Sequence, residues 1–116
     1  MEIEEFQAIC LPLPGVTEDI KWEHNLCFCV CEKIFCMVNL DEHPHTFSVK
    51  VSDADFDILL EKDGIIQAPY MAKNKWIRVE STSKFTKDEL KTLILEAYNI
   101  IKSKLPKRLQ NQLEEN

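Results

Sequence analysis

The chain has 116 residues, 45% hydrophobic and 29% charged, which suits one compact core spanning residues 1–116 and leaves too little length for a second. No apolar run approaches the ~20 residues a bilayer crossing needs, and Met1-Glu2-Ile3-Glu4-Glu5 lacks the basic start of a secretory leader, so a cytoplasmic protein with no membrane partner is expected. The net charge of −6 disfavours indiscriminate attraction to phosphate backbones, but residues 1–61 hold three Lys and Arg against thirteen Asp and Glu, whereas residues 62–116 hold eleven against seven.

Ile3, Phe6, Ile9, Cys10 and Leu13 recur at helical spacing until Pro12, Pro14 and Gly15 intervene, which predicts a helix over 2–11. Residues 16–25 show no decisive period and fit an edge strand or a loop. From Leu26 to Asn39 apolar residues are interrupted only by Glu32-Lys33, as in two strands joined by a tight turn. A two-residue turn there sets Cys29 opposite Cys36 and Phe28 opposite Met37. Phe28, Val30, Phe35 and Met37 then share one face, and Cys27, Cys29, Cys31 and Cys36 the other. Glu-Lys is a poor type I′ turn, because neither residue favours positive φ, so a longer loop or a bulge could shift this register by one.

Phe47, Val49 and Val51 alternate with Thr46, Ser48 and Lys50, the pattern of a strand with one buried and one wet face. Ser52 caps an expected helix over 52–62 that carries Asp53 and Asp55 in its first turn and ends at Asp63-Gly64. Ile65–Tyr70 and Trp76–Glu80 read as two short strands around the polar turn 72–75. Thr86-Lys87-Asp88-Glu89 is a capping box opening a helix over 86–105, and a polar tail follows over about 107–116, with room for a last short turn. Helix, three strands, helix, two strands, helix describes a two-layer α+β fold: an antiparallel sheet of about five strands covered by helices on one face.

Leu11-Pro12-Leu13-Pro14-Gly15-Val16-Thr17-Glu18, the hairpin Phe28 to Phe35, Trp76-Ile77-Arg78-Val79, and Glu96-Ala97-Tyr98 leading to Leu105-Pro106-Lys107-Arg108-Leu109 together resemble the MmcQ/YjbR family over nearly the whole chain. The resemblance implies a secretion-chaperone-like or CyaY-like α/β fold and a DNA-binding role resting on a double wing of two hairpins. It brings no enzyme activity. The first hairpin here carries Cys29, Cys31 and Glu32 where relatives often have a basic residue and glycines, leaving Lys33 as its cation. The loop before Trp76 reads Ala72-Lys73-Asn74-Lys75, without the histidine often found there.

The expected function is therefore that of a non-enzymatic domain binding nucleic acid through Lys33, Lys73, Lys75, Trp76, Arg78, Lys107 and Arg108. The alternative partner is a protein or peptide captured on the open sheet face or a sheet edge, and a distant third reading is a metal or thiol protein. Trp76 is either packing, the common fate of tryptophan, or a platform for base stacking. Lys102, Lys104, Lys107 and Arg108 also complement the negative end of the last helix without any ligand. The five cysteines lack the C-x-x-C knuckle of structural zinc sites and read as reduced, apolar side chains, and His24, His43 and His45 sit in loops with no evident nucleophile to activate. His43-Pro44-His45 is a short chelate-like pair of a common surface type, so no metal and no cofactor are expected.

Overall fold

The computed structural model describes residues 1–69 and 71–114. Its elements run α1 (Ile3–Cys10), β1 (Val16–Lys21), β2 (Asn25–Val30), β3 (Lys33–Asn39), β4 (Phe47–Lys50), α2 (Asp53–Leu60), β5 (Ile65–Gln67), β6 (Trp76–Val79), α3 (Lys87–Ser103) and α4 (Lys107–Glu114). The strands form one antiparallel sheet in the order β1-β2-β3-β4-β6-β5. The helices pack on one face of it, as the two-layer α+β expectation requires. Among the described residues no helix is long and apolar enough to cross a membrane.

Local signals set the helix starts. The Ser52 hydroxyl accepts the Asp55 N–H at 3.1 Å, and Thr86 and Glu89 exchange side-chain and backbone bonds at 2.9 and 3.1 Å. The core lies between sheet and helices, with Phe6, Phe28, Val38, Phe47, Ile77 and Ile94 fully or almost fully buried. Phe6 meets Phe47 edge-on at 5.2 Å.

The segment without a period, Val16–Lys21, is the sixth strand. It lies at a sheet edge, and its four central residues are exposed, so neither side-chain series carries a burial pattern. The expected polar tail is instead the helix α4. Its Leu113 is buried, and a Cβ added to Gly15 would lie 2.3 Å from Leu113 Cδ2. With φ at +75°, Gly15 is thus required both by the backbone and by the docking of α4. Tyr98 donates to the Pro14 carbonyl at 2.7 Å beside it. The expected strand over 65–70 ends at Gln67, and Tyr70 lies outside the described residues.

The β2–β3 register differs from the expectation. The turn falls on Cys31-Glu32, both at positive φ, so Val30 faces Lys33 and Cys29 faces Ile34. Phe28 then faces Cys36, and Phe35 is the extra residue of a bulge. The bulge lets Phe35, Cys36 and Val38 all reach the core, where Phe35 meets the Tyr98 ring edge-on at 5.4 Å and Cys36 lies against Cys10. Without it, Cys36 would point away from the helices and Met37 toward them. Cys29 and Cys36 are therefore not cross-strand partners, and Cys36 does not share a face with Cys27 and Cys29.

Candidate functional site

Register sorts the loops into two ends of the sheet. Pairings Val30 with Lys33, Cys36 with Val49 and Lys50 with Trp76 place the Cys31-Glu32 turn, the end of β4 and the start of β6 together. The Trp22–His24 loop, the loop from Leu40 to Thr46, and Glu80 lie at the opposite end, where His24 Nδ1 pairs with the Asp41 carboxylate at 2.5 Å.

At the first end the segment after β5 folds back on the sheet. Ala68 N–H donates to the Trp76 carbonyl, Met71 to Ala68 and Asn74 to Met71, each at 3.1 Å, and Val51 N–H reaches the Lys75 carbonyl at 3.0 Å. This return covers the Lys50 end of what was expected to be the wet face of β4: Lys50 is 8% exposed and its ammonium donates to the Asn74 carbonyl, while Thr46, at the far end of that face, is 4% exposed. Lys75, at φ +60°, holds its ammonium 4.8 Å over the Phe56 ring. Lys104, the residue that caps the C-terminus of α3, also approaches Lys50. Burial pushes the Lys50 pKa down, the neighbouring Lys104 and Lys75 charges add to the fall, and Asp53 opposes it.

The expected site residues divide accordingly. Lys33 and Lys73 are exposed at this end, Lys75 is half-buried, and Lys107 and Arg108 are exposed in the first turn of α4, three and four residues beyond Lys104. Trp76 lies at the same end but is only 6% exposed, so it is packing and offers no stacking face. Arg78 points across the open sheet face toward the opposite end, where it pairs with Glu42 and sits 3.9 Å from Glu80.

The cations differ in pairing. Lys84 pairs with Asp63, Lys87 with Glu5 at 2.8 Å and Arg78 with Glu42, all away from the first end. Among the described residues no carboxylate lies within ion-pair distance of Lys33, Lys50, Lys73, Lys75, Lys104, Lys107 or Arg108. Lys50 and Lys104 are the members of this group that chain position alone did not single out as a pair, because only the docking of α3 across β4 brings them together.

On the open face, Trp22 is 66% exposed at the rim of a groove of about 440 Å³ that Met37, Pro69, Met71 and Arg78 also line. Trp22 stood in the segment without a period and carried no sequence signal. Cys27 and Cys29 flank this face but are buried, and desolvation pushes the Cys27 pKa up to about 11 and raises that of Cys29. All five cysteines are free thiols.

The six-stranded open-faced sheet with its helices on one side defines a two-layer α+β domain. The YjbR family model matches residues 11–100, and the chain belongs to the YjbR family. It is similar in fold to the Deinococcus radiodurans protein DR2400, a DUF419 domain, with a TM-score of 0.88 at 18% identity over 97% of this chain and 87% of that one. A protein from Pseudomonas syringae gives a TM-score of 0.71 at 21% identity over 86% of this chain and 98% of its own. No curated protein matches the chain in sequence.

Proposed function

We propose that this YjbR-family chain is a non-enzymatic domain that binds nucleic acid by its phosphate backbone, at the sheet end formed by the Cys31-Glu32 turn, the loop before β6 and the junction of α3 and α4. The observation that carries the reading is the gathering at this end of Lys33, Lys73, Lys75, Lys104, Lys107 and Arg108, none with a carboxylate at ion-pair distance among the described residues, whereas Arg78, Lys84 and Lys87 away from it each have one. A phosphate approaching this end displaces no internal ion pair, and Lys50 behind it adds a positive charge that solvent screens less than a surface one. Trp76 and Arg78 drop out of the interface, the one by burial and the other by its pairing with Glu42. Recognition then rests on phosphates and is indifferent to base sequence.

Fluorescence anisotropy with a labelled duplex and a labelled single strand tests this. Affinity should be modest and should fall steeply between roughly 50 and 200 mM salt through counterion release. The double variant Lys75→Ala, Lys104→Ala should flatten the salt slope by about two, one for each phosphate that is no longer neutralised. No binding at low salt, or an unchanged slope in the variant, sinks the reading.

A second reading has its own observation. The exposed Trp22 and the groove beside it, lined by Met37, Pro69 and Met71, suit an extended apolar peptide laid across the open face. In that case a Trp22→Ala variant loses peptide binding while Lys75→Ala and Lys104→Ala retain it.

A further inference from the structure

The opposite end of the sheet holds a different chemistry, independent of nucleic-acid binding. We propose that Glu2, His43 and His45 form a binding site for a borderline divalent cation, with zinc as its representative. One donor atom from each of these side chains lies within 4.8 Å of the other two, although Glu2 opens α1 and the histidines belong to the loop between β3 and β4. Tetrahedral zinc with ligands at about 2.0–2.1 Å requires donors ~3.3 Å apart. Side-chain rotation supplies the remaining closure, since Glu2 and His43 are exposed and His45 is half-buried. Two imidazoles and one carboxylate match the preference of this metal class and leave a fourth position for water.

The loop is built to hold His45 in place. Its Nδ1 lies 3.0 Å from the Asn39 carbonyl. A carbonyl only accepts, so Nδ1 carries the proton and Nε2 keeps its lone pair, the arrangement found in metal-bound histidines. Asn39 anchors the whole turn. Its N–H donates to the Thr46 carbonyl at 2.9 Å, its side-chain amide donates to Glu42 at 2.9 Å, and its side-chain oxygen accepts the Asp41 N–H at 2.9 Å. Glu2 is fixed in turn by its own N–H, which donates to the Glu5 carboxylate at 3.1 Å. The neighbouring Lys87 ammonium is neutralised by Glu5 at 2.8 Å and so repels an incoming cation less than a free lysine would.

Glu2 and His43 border a cavity of about 360 Å³ that Pro44, Ser83 and Lys87 also line. The fourth coordination position therefore has room for water or a small anion. The cysteines do not compete at this place: Cys27 and Cys29 are buried on the other sheet face, and Cys10 and Cys36 are in the core.

The test uses the untagged full chain, stripped with a chelator and titrated with zinc chloride by calorimetry. One zinc per chain is expected. His43→Ala, His45→Ala and Glu2→Gln should each weaken binding by at least the roughly 10–100-fold that loss of an outer-shell partner costs. Circular dichroism checks that each variant folds, and exposed ligands make that outcome the expected one. Cobalt serves as a second probe, and its complex should lack the thiolate-to-cobalt charge-transfer band. Absence of saturable one-to-one binding, affinity unchanged in any of the three variants, or a strong thiolate band would each overturn the proposal.

Discussion

The two ends of the sheet are made from similar parts, a hairpin turn, a strand connection and a helix terminus, yet they differ in how charge is settled. At the histidine-containing end, loops that meet across strands satisfy one another: His24 with Asp41, Arg78 with Glu42, Lys84 with Asp63. At the other end Lys50, Lys75 and Lys104 converge on one another with Asp53 as the opposing charge. The cationic end draws on both halves of the sequence, Lys33 and Lys50 from the acidic one and Lys73, Lys75 and Lys104 from the basic one, and it lies opposite the proposed metal site.

The largest expected effect compares the two tryptophans, one at each end. Trp76→Ala removes a buried side chain and should cost about 3–5 kcal/mol of unfolding free energy. Trp22→Ala, at 66% exposure, should stay within about 0.5 kcal/mol. Urea titrations of the two variants check both figures, and a large loss in Trp22→Ala would show that the groove supports the fold.

Between the two ends, alkali probes the buried thiols. In the folded chain Cys27 ionises only at about 11, whereas an ordinary thiol does so near 9.0. Between these values the unfolded chain has released a proton that the folded chain retains. The corresponding stability is complete below pH 9.0 and is lost as pH rises through about 11. Urea midpoints followed across this range should fall, and the fall should flatten in Cys27→Ala. In the native protein at neutral pH, half-buried Cys31 should react first with a disulfide reagent, the four buried thiols reacting only on unfolding.

Smaller effects separate the two positive-φ turns at the basic end. Glu32→Gly relieves a left-handed residue at φ +70° and should stabilise by about 1 kcal/mol while strengthening DNA binding, because a carboxylate leaves the cationic end. Lys75→Gly relieves a similar φ but takes the ammonium away from the Phe56 ring, an interaction worth about 0.5–1 kcal/mol at exposed sites, so its stability should barely move while DNA affinity drops. Smallest of all, Asp41→Asn at the opposite end should cost at most about 1 kcal/mol, the usual ceiling for an exposed pair. Thermal melts and anisotropy on these three variants decide whether the ends act independently.

Helices α1, α2 and α3 and the alternation of β4 were legible because caps and periods are local signals. Strand β1 was not, since an edge strand exposed along its middle needs no apolar period. The register of β2 and β3 was hidden for another reason: only the presence of Tyr98 and Cys10 on the helix layer rewards a bulge that buries both Phe35 and Cys36. Of the candidate cations, Lys33, Lys73, Lys75, Lys107 and Arg108 could be read from the chain. The burial of Lys50 could not, because it depends on the segment after β5 folding back over the sheet, whereas packing was already one of the two readings of Trp76. The approach of Glu2 to His43 and His45 spans some forty residues and leaves no trace in local spacing.

The packing of Gly15 against Leu113, and of Pro14 against Tyr98, bears on what kinship can report. The Pro-Gly step and the Glu-Ala-Tyr segment, among the residues that make this chain recognisable as a relative, act as a latch that closes the first loop under the last two helices. The Gly15 carbonyl also accepts the Cys31 N–H at 3.4 Å, so the latch braces the backbone of the cationic end without supplying any of its charged side chains. A likeness carried by the latch certifies the architecture, and exposed side chains such as Lys73, Trp22 and His43 lie outside it, so two chains sharing every latch residue can differ in surface chemistry. Sorting relatives by the charges at the two poles, with the latch left out of the comparison, would group them by surface chemistry instead of by ancestry.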